Sequence, residues 1–150
     1  MTDNLPDDIA DPGLRALFAY WRERCRGDAI PARRDIDPTD FPRLLPNLFL
    51  IDVRQEPFAL TYRLVGTNLV AHFGFDATGK DVGGSFAGPD WSVVEPDYRA
   101  AVFERRPSVH RDDFATANHR RHRYVRLLLP LAGDGHTVDM LLGAAIFEAA

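Results

Sequence analysis

Five histidines, an adjacent pair of aspartates and one cysteine are the residues of this chain with the most chemistry to offer. His110, His119, His122 and His136 would suit a metal only if two of them repeated along one helix or strand. They are scattered over a strand and two loops, so no metal site is expected. Asp112 and Asp113, with Tyr124 further on, have the right groups for acid–base work, but nothing in the sequence marks a carboxyl desolvated enough to act as a base. Cys25 reads as a small apolar residue on a helix rather than a nucleophile. Gly79, Gly83 and Gly84 lack the spacing of a phosphate-binding loop and no Gly-Lys-Ser/Thr follows, so their role is to let the chain turn. The run His119-Arg120-Arg121-His122-Arg123 is the densest positive charge. It reads as a solvated hairpin tip, with contact to an anion or acidic partner as the alternative. No residue is assigned to catalysis.

The elements that would position these residues form a single domain. A chain of 150 residues, 45% hydrophobic and 27% charged, can bury one real core without staples. A net charge of −4 argues against general attraction to nucleic acid or anionic lipid. A lone cysteine, an acidic N-terminus unlike a signal peptide and the lack of a membrane-length apolar run lead us to expect a cytoplasmic protein.

Residues 1–11 read as an acidic mobile tail. Asp11-Pro12 then opens a helix over 12–26, since Asp caps an orphan N–H and Pro has none to lose. Its apolar stripe is Leu14, Leu17, Phe18, Trp21 and Cys25. The stripe packs on its own domain or, through Leu14, Leu17, Phe18 and Trp21, forms a homodimer seam. Asn47 to Arg54 and Ala59 to Val65 read as a hairpin about Gln55-Glu56-Pro57. A short helix capped by Thr67 and ended by Gly74 follows, then a glycine-rich loop to Pro89 with a helical turn near 82–86. A helix over 91–105 comes next, capped by Asp90 and disturbed by Pro96. Strands over 108–115, 123–131 and 137–147 complete the chain, with a polar hairpin loop over 116–121. Val125, Leu127, Leu129 and Leu131 face one way and Tyr124, Arg126 and Leu128 the other, so both sides of the sheet need covering.

This order, with DIDP at 35–38, RLLPNLFLIDV at 43–53, YRLVGTNLVAHFG at 62–74, TGKDV at 78–82 and LLLPL at 127–131, resembles the PAS domain, and among PAS domains the bacterial family standing nearly alone on a short chain. The resemblance covers about residues 14–148. It implies an α+β fold over 12–150: a five-stranded antiparallel sheet in the order 2-1-5-4-3, helices on one face and the N-terminal helix flanking it. It also implies a sensory module whose cavity accepts a small molecule and whose flanking helix reports to a signalling partner. The cofactor, if there is one, is unknown. A flavin photoreceptor of this kind has its cysteine on the helix over the flavin, whereas Cys25 precedes the sheet. A haem-binding member needs an axial ligand such as histidine from a cavity helix, and His72 alone does not supply that signature.

Ligand-binding candidates are Tyr62 and Leu64, Phe73 and Phe86, Val102, and Tyr124, Arg126 and Met140. An inward Arg126 must meet a carboxylate or a bound anion, because an unpaired buried guanidinium is costly. Two alternatives stand beside the sensor. One is an interaction or dimerisation module with a filled core. The other is a small acid–base enzyme with the cone fold of the ketosteroid-isomerase kind, although such cones place most helices before the sheet.

Overall fold

A computed structural model describes residues 9–86, 90–115 and 121–148. The chain opens with helix α1 (Pro12–Glu23), continues through three short 3-10 turns into strands β1 (Leu48–Gln55) and β2 (Phe58–Val65), then α2 (Thr67–Phe73) and α3 (Asp90–Phe103), and closes with β3 (Ser108–Ala115), β4 (Arg121–Leu131) and β5 (Met140–Phe147). The strands make one antiparallel sheet in the order β2-β1-β5-β4-β3. That is the expected order, and with two strands preceding the longest helix it excludes the cone fold. The hairpin tip over 116–120 and the tail over 1–8 lie outside the described residues.

Two helical layers cover the two faces. On the outer face, the side chains of Leu14, Leu17, Phe18 and Trp21 recur one helical turn apart and are only 0%, 1%, 4% and 5% exposed within the protomer. The dimer seam expected there is therefore not available: the stripe is used up against its own sheet. The Trp21 indole fixes the contact by donating a buried hydrogen bond of 2.9 Å to the carbonyl of Pro130. Pro130 is tolerated in β4 because β3 pairs no further along than Leu128, so the missing N–H has no neighbour to serve. Ile9 is also in the core and its carbonyl accepts from Arg15 Nη1 at 2.9 Å, so the tail expected over 1–11 is already docked by this residue. Asp11 caps α1 as expected, accepting from the Leu14 N–H, but the helix closes at Glu23 rather than 26.

The inner face carries α2 and α3. Gly66 caps α2, so Thr67 is its first residue rather than its cap. Gly74 ends it at φ 86°, a conformation that favours glycine. The segment after it does more than turn. Its backbone runs beside β2 through Tyr62 N–H to Lys80 O, Gly79 N–H to Tyr62 O and Val82 N–H to Leu60 O, which seals that edge of the sheet. Asp90 begins α3 as its first helical residue, Pro96 is accommodated within it, and Val94, Tyr98, Ala101 and Val102 are buried.

At the centre of the sheet, Gly143 lies between Phe49 of β1 and Leu128 of β4. A Cβ there would overlap the ring of Phe49. Gly143→Ala is therefore expected to destabilise the fold by about 1–3 kcal/mol through overpacking, measured as a lower urea midpoint with unchanged slope.

Candidate functional site

Strand register decides which side chains meet on the inner face. In antiparallel pairs, opposed residues share a face. His110 opposes Arg126, which opposes Ala145; Asp112 opposes Tyr124, which opposes Phe147. Hence Arg126, Tyr124, His110 and Asp112 all project towards α2 and α3. Arg126 is 1% exposed. Its Nε donates to Asp112 Oδ2 at 2.7 Å, and its Nη2 donates to Asp112 Oδ1 at 3.2 Å and to Asp97 Oδ2 of α3 at 2.9 Å. Asp97 in turn meets His110 Nε2 at 3.3 Å. The guanidinium carbon sits 4.9 Å from the centre of the Tyr98 ring. Its Nη1 is buried and has no hydrogen-bond partner among the described residues.

Beside this cluster, Phe49, Tyr62, Leu69, Phe73, Tyr98, Tyr124 and Ala145 enclose a small space. About 10 Å³ of it is open to the centre of a water-sized sphere, room for about one water. The walls are chiefly aromatic, with Phe49 and Tyr62 edge-to-face at 6.2 Å. Burial raises the Tyr62 hydroxyl pKa to about 12, against a smaller lowering by its hydrogen bond with Ser85. Burial also raises Tyr98 and Tyr124. For Arg126, burial favours loss of the proton, but Tyr98 and Asp112 more than reverse it and its pKa is raised.

Of the expected lining residues, Tyr62, Phe73 and Tyr124 come together around this space. Arg126, Phe86 and Val102 are buried but are not among its walls; Arg126 adjoins it through Tyr98, and Phe86 packs on Trp91, ring centres 5.4 Å apart. Leu64 does not belong: it is 47% exposed. The register shifts between Leu50 and Ile51, so an extra residue in β2 breaks the alternation after Tyr62 and turns Val65 inward instead. Met140 does not belong either, because it opposes Asp52 and Leu131 and so shares the outer face. Phe49, Leu69, Tyr98 and Asp97 were missed. Only the need of an inward Arg126 for a carboxylate pointed towards Asp97 and Asp112.

The geometry also tests the chemical options. Both oxygens of Asp112 are committed to Arg126, and Asp113 is exposed beside Arg121 and Arg123. His72 stacks on Phe147, ring centres 3.6 Å apart, rather than lining the space. Cys25 follows α1, the helix on the outer face, and donates to the Trp21 carbonyl at 3.6 Å. Cys25 thus lies away from the inner face, and His72 is not among the walls of the space. Among the described residues no group of three or more His, Cys, Asp or Glu is placed to hold a metal ion.

Comparison with known proteins gives the same architecture. A family model described as PAS domain matches residues 9–146. No curated protein matches. The LOV protein of Rhodobacter sphaeroides superposes with a TM-score of 0.57 at 18% identity, over 69% of this chain and 60% of its own. A light-oxygen-voltage domain studied with a flavin analogue gives 0.58 at 15% identity, over 74% of this chain and 83% of that one. A PAS domain from Colwellia psychrerythraea gives 0.56 at 10% identity, over 73% and 95%. At these identities the likeness concerns the fold.

Two outcomes follow from the cluster. Arg126→Met is expected to cost about 3–5 kcal/mol in urea unfolding by stranding Asp112, and Arg126→Met with Asp112→Leu to recover most of that loss. The phenols of Tyr62, Tyr98 and Tyr124 keep their protons in the folded chain at a pH where the unfolded chain, with pKa near 10, has released them. Folding stability should therefore fall as pH rises through about 10 towards 12, measured by urea titrations with phenolate absorbance followed in parallel.

Proposed function

Since the chain belongs to the PAS domain family, whose members generally serve as sensory signalling modules, we propose that it is a cytoplasmic bacterial sensor that binds a small molecule on the inner face and has no catalytic step of its own. The observation that carries this reading is Arg126: a buried guanidinium with one nitrogen left open, set beside an aromatic-walled space. Asp112 and Asp97 account for the charge and for Nε and Nη2. The buried Nη1 has no acceptor among the described residues, and that favours a binding role beside the structural one. In this reading the output passes by contact to a separate signalling protein. A second copy of the chain is one candidate partner, and it would have to use a surface other than Leu14, Leu17, Phe18 and Trp21, which are buried in the protomer.

The small open volume favours a second reading, an interaction module with a filled core. Native mass spectrometry of protein purified from its own cells, read against the denatured mass, separates the two. A small molecule released on denaturation is the expected result. A ligand-free protein found together with a partner protein would replace the sensor by the interaction module, and the same spectrum reports whether two copies associate.

A further inference from the structure

We propose that the inner face takes an uncharged molecule combining a flat ring with a hydrogen-bond acceptor, and that the acceptor meets Nη1 of Arg126. This rests on the sensory reading above and names its ligand class. A guanidinium has five N–H donors. Nε and Nη2 are engaged by Asp112 and Asp97, while the enclosed Nη1 has no partner among the described residues. A buried donor without an acceptor is costly, so the position is set to receive one.

Charge decides what kind of acceptor. One guanidinium already faces two carboxylates, Asp112 and Asp97, the second of them shared with His110. An anionic ligand would bring a third negative group to a single buried cation, so a neutral carbonyl is favoured over a carboxylate or phosphate. Shape supplies the rest. Tyr98, whose ring lies beneath the guanidinium, also walls the small space, together with Tyr124 of the same strand as Arg126. Aromatic walls on several sides suit a flat ring.

Room for that ring has to come from α2. Leu69 and Phe73 are its two contributions to the wall, and the helix is seven residues long between Gly66 and Gly74. The remaining walls belong to the sheet and to α3 and are held by ladders and by the Arg126–Asp97 contact. Binding therefore displaces Phe73 and Leu69 and leaves the cluster intact.

The test uses three probes of similar shape: acetophenone with a neutral acceptor, ethylbenzene with none and benzoate with a charge. Calorimetry on Phe73→Ala, where the lost ring leaves space, should give acetophenone at least about tenfold tighter than ethylbenzene, a difference typical of a satisfied buried donor, with benzoate weakest. Should that variant not fold, the wild type decides, from the Arg126 guanidinium resonances by NMR. Acetophenone should shift them at concentrations where ethylbenzene does not. Equal affinity for acetophenone and ethylbenzene would overturn the acceptor role and leave Nη1 to a water. Tightest binding of benzoate, or an anionic molecule carried from cells, would overturn the neutral class while keeping the sensor. Protein that carries nothing from cells would instead count against the sensor itself.

Discussion

The buried charge of Arg126 is the constraint on which the inner half of this protein depends. A guanidinium removed from water must be neutralised and hydrogen-bonded, and the groups that do this come from two different elements, Asp112 of β3 and Asp97 of α3. The contact therefore does what apolar packing cannot: it fixes the rotation and height of α3 over the sheet to within hydrogen-bond tolerance. With α3 so placed, Tyr98 lies beneath the guanidinium and Trp91 packs between Tyr98 and Phe86, at 5.3 and 5.4 Å between ring centres. Gly83 lies against the Trp91 ring where a side chain would have to shift. One ion cluster and one aromatic row thus tie the last helix to the loop before it and to the strands after it.

The two faces of the sheet are held by different physics. Outside, α1 lays a plain aliphatic and aromatic stripe on the face that includes β4, pinned there by the Trp21 indole on the Pro130 carbonyl. That contact is chiefly apolar. Inside, charge, phenols and a glycine without a side chain set a narrower geometry. Directional contacts set the geometry of the inner layer, and apolar packing with one directional bond sets that of the outer.

Much of this was legible in the chain. The periodicity of Leu14, Leu17, Phe18 and Trp21 marks the helix, and the alternation from Tyr124 to Leu131 separates the two faces of β4 correctly, which is why Arg126 could be placed inside. The stripe itself does not say whether a sheet of the same chain or a second copy covers it; only the tertiary fold decides that. Leu64 was misplaced because a bulge leaves no mark in a run of apolar residues, and one extra residue reverses everything after it. Met140 was misplaced for a related reason: both faces of β5 are apolar, so alternation carries no sign until the register with β4 is known. Asp97 was missed because its role comes from a contact 29 residues away in sequence.

The chain's two tryptophans fall one in each layer: Trp21 is held against the outer face, and Trp91 is packed in the aromatic row of the inner one. The protein thus carries its own pair of optical reporters. Replacing either indole with phenylalanine would leave an emission signal belonging to one side of the sheet. Release of α1 and loosening of the inner layer would then be seen as separate events, on whatever timescale each occurs, without attaching a label.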